Sequence, residues 1–174
     1  AAQATATPVP TPAPVIQGEG MLRPEGEPKR GGILRTAFGV TMSSFDIHQG
    51  GGVAALCHMY NGLVRNNPVD GLRTIVPDLA RSWEISDDGT TYTFHLREGV
   101  TFHDGNAFSA EDVVATFNRI IDPPEGIVSV LRSDYSMVES VEAIDDSTVV
   151  FQLSSPRAFF LYLLATTNAV IYSK

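Results

Sequence analysis

Four histidines, one cysteine and twenty acidic residues are the side chains with which this 174-residue chain could do chemistry. Cys57-His58 sets a thiol beside an imidazole, the pair a thiolate nucleophile and its base require, and His103-Asp104 joins an imidazole to a carboxylate. Neither spacing favours catalysis. Consecutive residues on a helix point to different faces, so Cys57 and His58 converge poorly. The apolar and aromatic neighbours in AALCHMY mark Cys57 as a buried structural thiol. His103-Asp104-Gly105 has the composition of a turn. His95, between Phe94 and Leu96, falls on the outward side of a strand. Imidazoles and a carboxylate suit zinc or nickel, but no closely spaced third ligand completes a set with His95, His103 and Asp104. Glu111-Asp112 and Asp145-Asp146 fall at a helix start and a turn, where paired acids are solvated. No phosphate-cradling glycine motif occurs. These residues predict no enzyme, no metal centre and no cofactor. A secreted hydrolase domain using Cys57-His58 or His103-Asp104 is the reading from another class, and a tethered structural module is a third.

A polar loop is the better candidate for function. VTMSSFDIHQGGG, residues 40–52, is dense in Gly, Ser and Thr and is a loop by composition; binding residues concentrate on loops that rigid elements carry. Within it Asp46 reads as the cap of a following helix, and His48 as a solvated loop histidine.

The elements that must position this loop can be read from periodicity. Trp83 and Ile85, then Tyr92, Phe94 and Leu96, alternate with polar residues on either side of Ser86-Asp87-Asp88-Gly89, which predicts a β-hairpin with one buried face and Trp83 in the core. Val138 and Val141, then Val149, Phe151 and Leu153, predict a second hairpin turning at Asp145-Asp146, and the two should share one sheet with helices over it. Ser109 caps a helix whose apolar positions are Val113, Phe117, Ile120 and Ile121, ended by Asp122-Pro123-Pro124. Helices are also expected over residues 53–64, with Val53, Leu56, Tyr60 and Leu63 on one face, and after Ser155-Pro156, with Phe159, Phe160, Leu163 and Leu164. Residues 31–38 open the ordered chain as a strand. Residues 1–30, rich in Ala, Thr and Pro, predict a disordered linker. A net charge of −8 argues against nucleic acid as a partner, since that needs basic patches. The longest apolar run, residues 158–165, is far too short to span a bilayer.

The run PDLARSWEISDDGTTYTFHLREGVTFHDG followed by SAEDVVATFNRIIDP, with MYNGLV before it and VESVEAIDDSTVVFQL after, resembles the family 5 solute-binding proteins. These are the extracytoplasmic receptors of peptide, dipeptide and nickel ABC importers. The resemblance covers the chain from about residue 31 onward. It implies a mixed α/β fold of the type II periplasmic-binding-protein kind, present here as a partial first lobe with its small subdomain. Residues 31–67 would begin lobe I, 68–154 would form the small subdomain, and 155–174 would return to lobe I. The resemblance also implies that the loop after the first strand lines the ligand cleft. Val40, Thr41, Met42, Ser43, Ser44 and Phe45 become ligand-binding candidates, with Met42 and Phe45 as apolar wall. Tyr135, Thr166, Thr167 and Asn168 are further candidates.

The implied partners are a peptide or another small solute and the membrane permease subunits of an ABC importer, served by a monomeric receptor. Family members that bind nickel complexes, haem or oligosaccharides are the alternatives. The implied location is periplasmic or at the cell surface, with lipid anchoring undecided. Family proteins are longer and close two lobes over the ligand by a hinge. The expectation is therefore an N-terminal fragment that alone binds ligand weakly or not at all.

Overall fold

The computed structural model describes residues 31–33, 35, 37, 44–52 and 56–174. Of the expected opening strand at 31–38, the described residues 31–33, 35 and 37 lie in no strand, while 34, 36 and 38 are outside the described residues, as are residues 1–30, Val40, Thr41, Met42 and Ser43. Among the described residues the strands are β1 (Val64–Asn66), β2 (Ile75–Pro77), β3 (Ala80–Ile85), β4 (Thr91–Leu96), β5 (Val138–Asp145) and β6 (Thr148–Leu153), and the helices are α1 (Ala110–Ile121) and α2 (Phe160–Leu164).

The two predicted hairpins form. β3–β4 and β5–β6 join through β4 and β6 into one antiparallel sheet of order β3-β4-β6-β5. Alternation places Tyr92, Phe94 and Leu96 of β4 and Val149, Phe151 and Leu153 of β6 on the buried face. Tyr92 is opposite Phe151, and Phe94 opposite Val149. Amphipathic α1 lies over this face with Val113, Phe117 and Ile120 inward. Phe151 is the hub. Its ring meets Phe117 at 4.9 Å, Phe94 at 5.6 Å and Phe160 at 5.6 Å, all edge-to-face. The Asp112 carboxylate accepts the Ser109 amide at 2.8 Å in a capping box, which starts α1 where the sequence predicts.

Three expectations are corrected. Leu56 is helical, but the chain turns at residues 57–59 and is extended by Val64, so no helix spans 53–64. Its backbone bonds go sideways instead: Asn61 O accepts Ile171 N at 2.9 Å and Gly62 O accepts Leu79 N at 3.1 Å. A Cβ on Gly62 would come within 2.9 Å of Ala169 O, so glycine permits this close passage. The helix expected from Pro156 begins only at Phe160. The Arg157 carbonyl instead accepts Tyr92 Oη at 3.2 Å, and Pro156 lies against Gly89 of the first hairpin turn. Ile85 is 45% exposed, not buried, because it ends the edge strand. Trp83 is half-buried against the core, with its ring 6.5 Å from Phe94.

Candidate functional site

Helix α1 buries more than hydrocarbon. Asp112, Thr116 and Arg119, spaced i, i+4 and i+7, make a polar stripe down one flank, and the first two are almost fully buried, so Asp112 is not the solvated helix-start acid expected. Buried polar groups need partners, and this stripe finds them in two passing segments. Asp112 Oδ1 accepts the Lys174 amide at 3.0 Å. Thr116 Oγ1 accepts the Tyr172 amide at 3.0 Å and donates to the Tyr172 carbonyl at 3.3 Å. The Arg119 guanidinium grips Asp46, with Nη2 2.5 Å from Oδ2. The stripe thus docks the run after α2 and the polar loop onto the same helix.

Asp46 and His48 are both corrected by this seam. Asp46 caps no long helix. Its Oδ1 accepts the His48 amide at 3.0 Å, opening a 3-10 turn at Ile47–Gln49. Burial raises its pKa, but hydrogen bonds from Arg119 and Gln49 outweigh this and hold the carboxyl below its ordinary value. His48 is 1% exposed rather than solvated. Its Nε2 lies 3.0 Å from Val170 O, and Arg119 Nη1 lies 3.4 Å from Nδ1. A carbonyl accepts only and a guanidinium donates only. The neutral ring with its proton on Nε2 satisfies both. The imidazole also packs against the Tyr172 ring, with centroids 4.5 Å apart and planes tilted by 46°, and Tyr172 Oη accepts the Ile47 amide at 2.9 Å.

Of the candidate ligand residues described, Ser44 and Phe45 sit at the outer end of this seam. Ser44 Oγ accepts the Asp46 amide at 3.3 Å, and a Cβ on Gly51 would overlap that hydroxyl, so glycine lets the turn close on Ser44. Phe45 is 73% exposed. Thr166, Thr167 and Asn168 form the turn after α2, directly before the Val170 that His48 holds. Thr166 Oγ1 donates to Leu163 O at 2.8 Å. Tyr135 is placed elsewhere. It is buried against Phe117, and its hydroxyl donates to the same Leu163 carbonyl at 3.0 Å, bracing that turn from beneath. Burial pushes its phenol pKa up.

Ring contacts extend the seam from Tyr172 toward the exposed His103. Tyr60 meets Tyr172 at 5.2 Å and His103 at 6.3 Å. Beyond them lies a hollow of about 140 Å³ lined by Met59, Tyr60, Leu79, Phe102, Phe108 and Ile171, among others. His103 reaches back to Met59 O at 2.9 Å. Asp104 accepts the Asn106 amide at 3.0 Å and its Nδ2 at 2.8 Å, as a turn residue does. Cys57 is half-buried, less enclosed than its neighbours suggest, and His58 is exposed. Among the described residues no three His, Cys, Asp or Glu side chains gather as a metal site, and no helix is long and apolar enough to cross a membrane.

Sequence reasoning read residues 44–52 as irregular chain but missed Arg119, His48 and Tyr172 as their fasteners. The usable signal was the polar i, i+4, i+7 set inside an otherwise apolar helix face.

Comparison with known proteins adds a second line of observation. Residues 74–174 match the family described as Bacterial extracellular solute-binding proteins, family 5 Middle. Heme-binding protein A of Haemophilus influenzae is 40% identical over 130 residues, 66% of this chain and 23% of that protein. The Dipeptide-binding protein of Escherichia coli is 38% identical over 131 residues, 67% of this chain and 24% of that protein. An ABC transporter-associated periplasmic binding protein from Helicobacter pylori, solved in complex with the peptide STSA, superposes with a TM-score of 0.64 at 32% identity, covering 76% of this chain and 29% of that one. The chain spans about a quarter of the length of the curated relatives it matches.

Proposed function

The chain belongs to the family 5 bacterial extracellular solute-binding proteins, with part of their type II fold, and on that premise we propose that it serves as substrate-binding part of an ABC importer for peptides. Its place is outside the cytoplasmic membrane, where the closed, loaded receptor is presented to a permease. The observation that carries this reading is the family match across residues 74–174. The similarity to a dipeptide-binding protein and to a receptor holding the peptide STSA supports peptides as the substrate class. We place the start of the first lobe in residues 31–67, the small subdomain in 68–154, and the return in 155–174.

The chemistry of the seam's outer end suits such a ligand. Peptides offer alternating amide donors and carbonyl acceptors, plus side chains that vary. Neutral hydroxyls and backbone groups at Ser44, Thr166, Thr167 and Asn168 can meet the backbone through direct or water-mediated bonds. The exposed ring of Phe45 offers an apolar wall that accepts many side chains. Val40, Thr41, Met42 and Ser43 precede Ser44 and belong to the same proposed surface. This face alone holds a peptide weakly. A millimolar Kd corresponds to about −4 kcal/mol, and micromolar binding needs about twice that. Contacts on both sides of a closing cleft supply the difference.

The test is an amide NMR titration of the ¹⁵N-labelled 174-residue chain with di- and tripeptides to about 10 mM, well above the expected Kd. Saturable shifts at Ser44, Phe45 and Asn168 are expected. Shifts produced there by haem or a nickel–histidine complex, and by no peptide, would replace the substrate class. No response to any of them at these residues would take Ser44, Phe45 and Asn168 off the proposed surface.

A further inference from the structure

The ring of His48 has the geometry of a fastener that works in one protonation state. Val170 O faces Nε2 at 3.0 Å from the terminal segment, and Arg119 Nη1 faces Nδ1 at 3.4 Å from α1. The Tyr172 ring packs against the imidazole at 4.5 Å, tilted by 46°. On its own turn, Asp46 is the nearest carboxylate, but both its oxygens are engaged: Oδ1 by the His48 amide and Arg119, Oδ2 by Arg119 and Gln49. The backbone of His48 carries a further link, because its carbonyl accepts the Val130 amide at 3.0 Å. One residue earlier, the Ile47 amide donates to Tyr172 Oη.

We infer that His48 is an acid-released pin: the neutral, Nε2-protonated ring fastens the turn at 44–51 to Val170 and Arg119, and protonation of Nδ1 unfastens it. A proton on Nδ1 turns the one acceptor facing Arg119 into a donor, and sets a second positive charge against the guanidinium in a buried site. Asp46 partly offsets that repulsion, yet it is already neutralised by Arg119. The ring is relieved by leaving. Its departure strains the Val130 and Ile47 links, which hang on the same two residues of backbone. Burial already pushes the His48 pKa below its ordinary value, against the opposing pull of the Val170 bond and Asp46. The sign follows: the pin's contribution is complete above the ordinary histidine pKa and is lost as pH falls from there toward the depressed folded value. If the turn carries the ligand surface proposed above, acid loosens that surface too; this consequence, unlike the pin, rests on the proposed function.

The experiment uses the 174-residue chain without ligand. Long-range ¹H–¹⁵N NMR of the imidazoles, followed from about pH 8 to about pH 5, reports tautomer and protonation directly. Expected are the Nε2-protonated tautomer at the upper end and a titration below that of a free imidazole. With it, solvent exchange of the Ile47 and Val130 amides should rise severalfold beyond its intrinsic pH dependence as the ring takes its proton. In His48→Gln, whose neutral amide can donate to Val170 O at any pH, both amides should lose this acid response. An Nδ1-protonated tautomer, or protection of the two amides that persists as the ring takes its proton, would overturn the inference. So would the same acid response in a folded His48→Gln chain. Because no ligand enters, a chain that binds no peptide takes the turn off the proposed ligand surface and leaves the pin standing.

Discussion

Thr116 holds both backbone groups of Tyr172 with a single hydroxyl: Oγ1 takes the amide proton at 3.0 Å and gives its own to the carbonyl at 3.3 Å. A helix side chain here does what a neighbouring strand would do, closing the backbone bonds of an extended segment. With Asp112 above it and Arg119 below, Thr116 makes α1 the anchor of two segments distant in sequence.

Thr116→Val keeps the shape of the side chain and removes both bonds. Two backbone groups are then left unpaired at a site that is almost dry. The expected loss is about 1–3 kcal/mol of stability, read as a lower urea midpoint at unchanged m-value. An unchanged midpoint would mean that Tyr172 is not docked on α1.

The Arg119–Asp46 pair gives a pH-dependent prediction. Asp46 has a folded pKa below its ordinary 3.8. The stability this adds is present above 3.8 and lost as pH falls from there through the lowered folded value. Both side chains keep some solvent contact, at 29% and 20% exposed, so the ion pair is partly screened and contributes about 1 kcal/mol. Arg119→Leu should flatten this segment of the acid-unfolding profile, and Asp46→Asn should do the same. An equally steep acid limb in both variants would place the responsible carboxylate elsewhere.

Residues that face their partners across a turn were legible in the sequence; residues that meet across the chain were not. Tyr92, Phe94 and Leu96 announce their hairpin because alternation and the Asp88-Gly89 turn are both local. Ser109 and Asp112 announce α1 for the same reason. His48 looked like any histidine in a glycine-rich loop, because the carbonyl that buries it belongs to a residue 122 positions later. Arg119 lies 73 positions from Asp46, and nothing near either residue names the other. The error over residues 53–64 has a related cause. Leu56, Tyr60 and Leu63 fit a helical face, but Asn61 and Gly62 find their backbone partners in Ile171 and Leu79, and tertiary pairing overrides local periodicity.

Phe151 should be the most costly apolar truncation. Three rings close on it edge-to-face, and it is fully buried. Phe151→Ala removes those contacts and opens a cavity that α1 and β4 cannot both collapse into, for an expected loss of about 3–5 kcal/mol. Ile144→Ala, at a position 63% exposed on the same hairpin, should change stability by less than about 0.5 kcal/mol. Calorimetric melting of both variants checks the contrast, and comparable losses would deny that Phe151 is central.

Phe45 separates a binding role from a packing role. A large aromatic ring left 73% exposed contributes little to folding, so Phe45→Ala should alter stability by less than about 0.5 kcal/mol. If the ring is apolar wall for a peptide side chain, the same substitution should weaken the peptide-induced shifts at Ser44 and Asn168. The loss should be largest for peptides with bulky apolar side chains and smallest for glycine peptides, since the latter have nothing to lay against the ring. Ranking dissociation constants for the two peptide classes with both chains makes this measurable. A uniform loss across peptides would point to a backbone effect of the substitution, and no loss at all would take Phe45 off the proposed surface while leaving Ser44, Thr166, Thr167 and Asn168 to be tested on their own hydroxyl and amide chemistry.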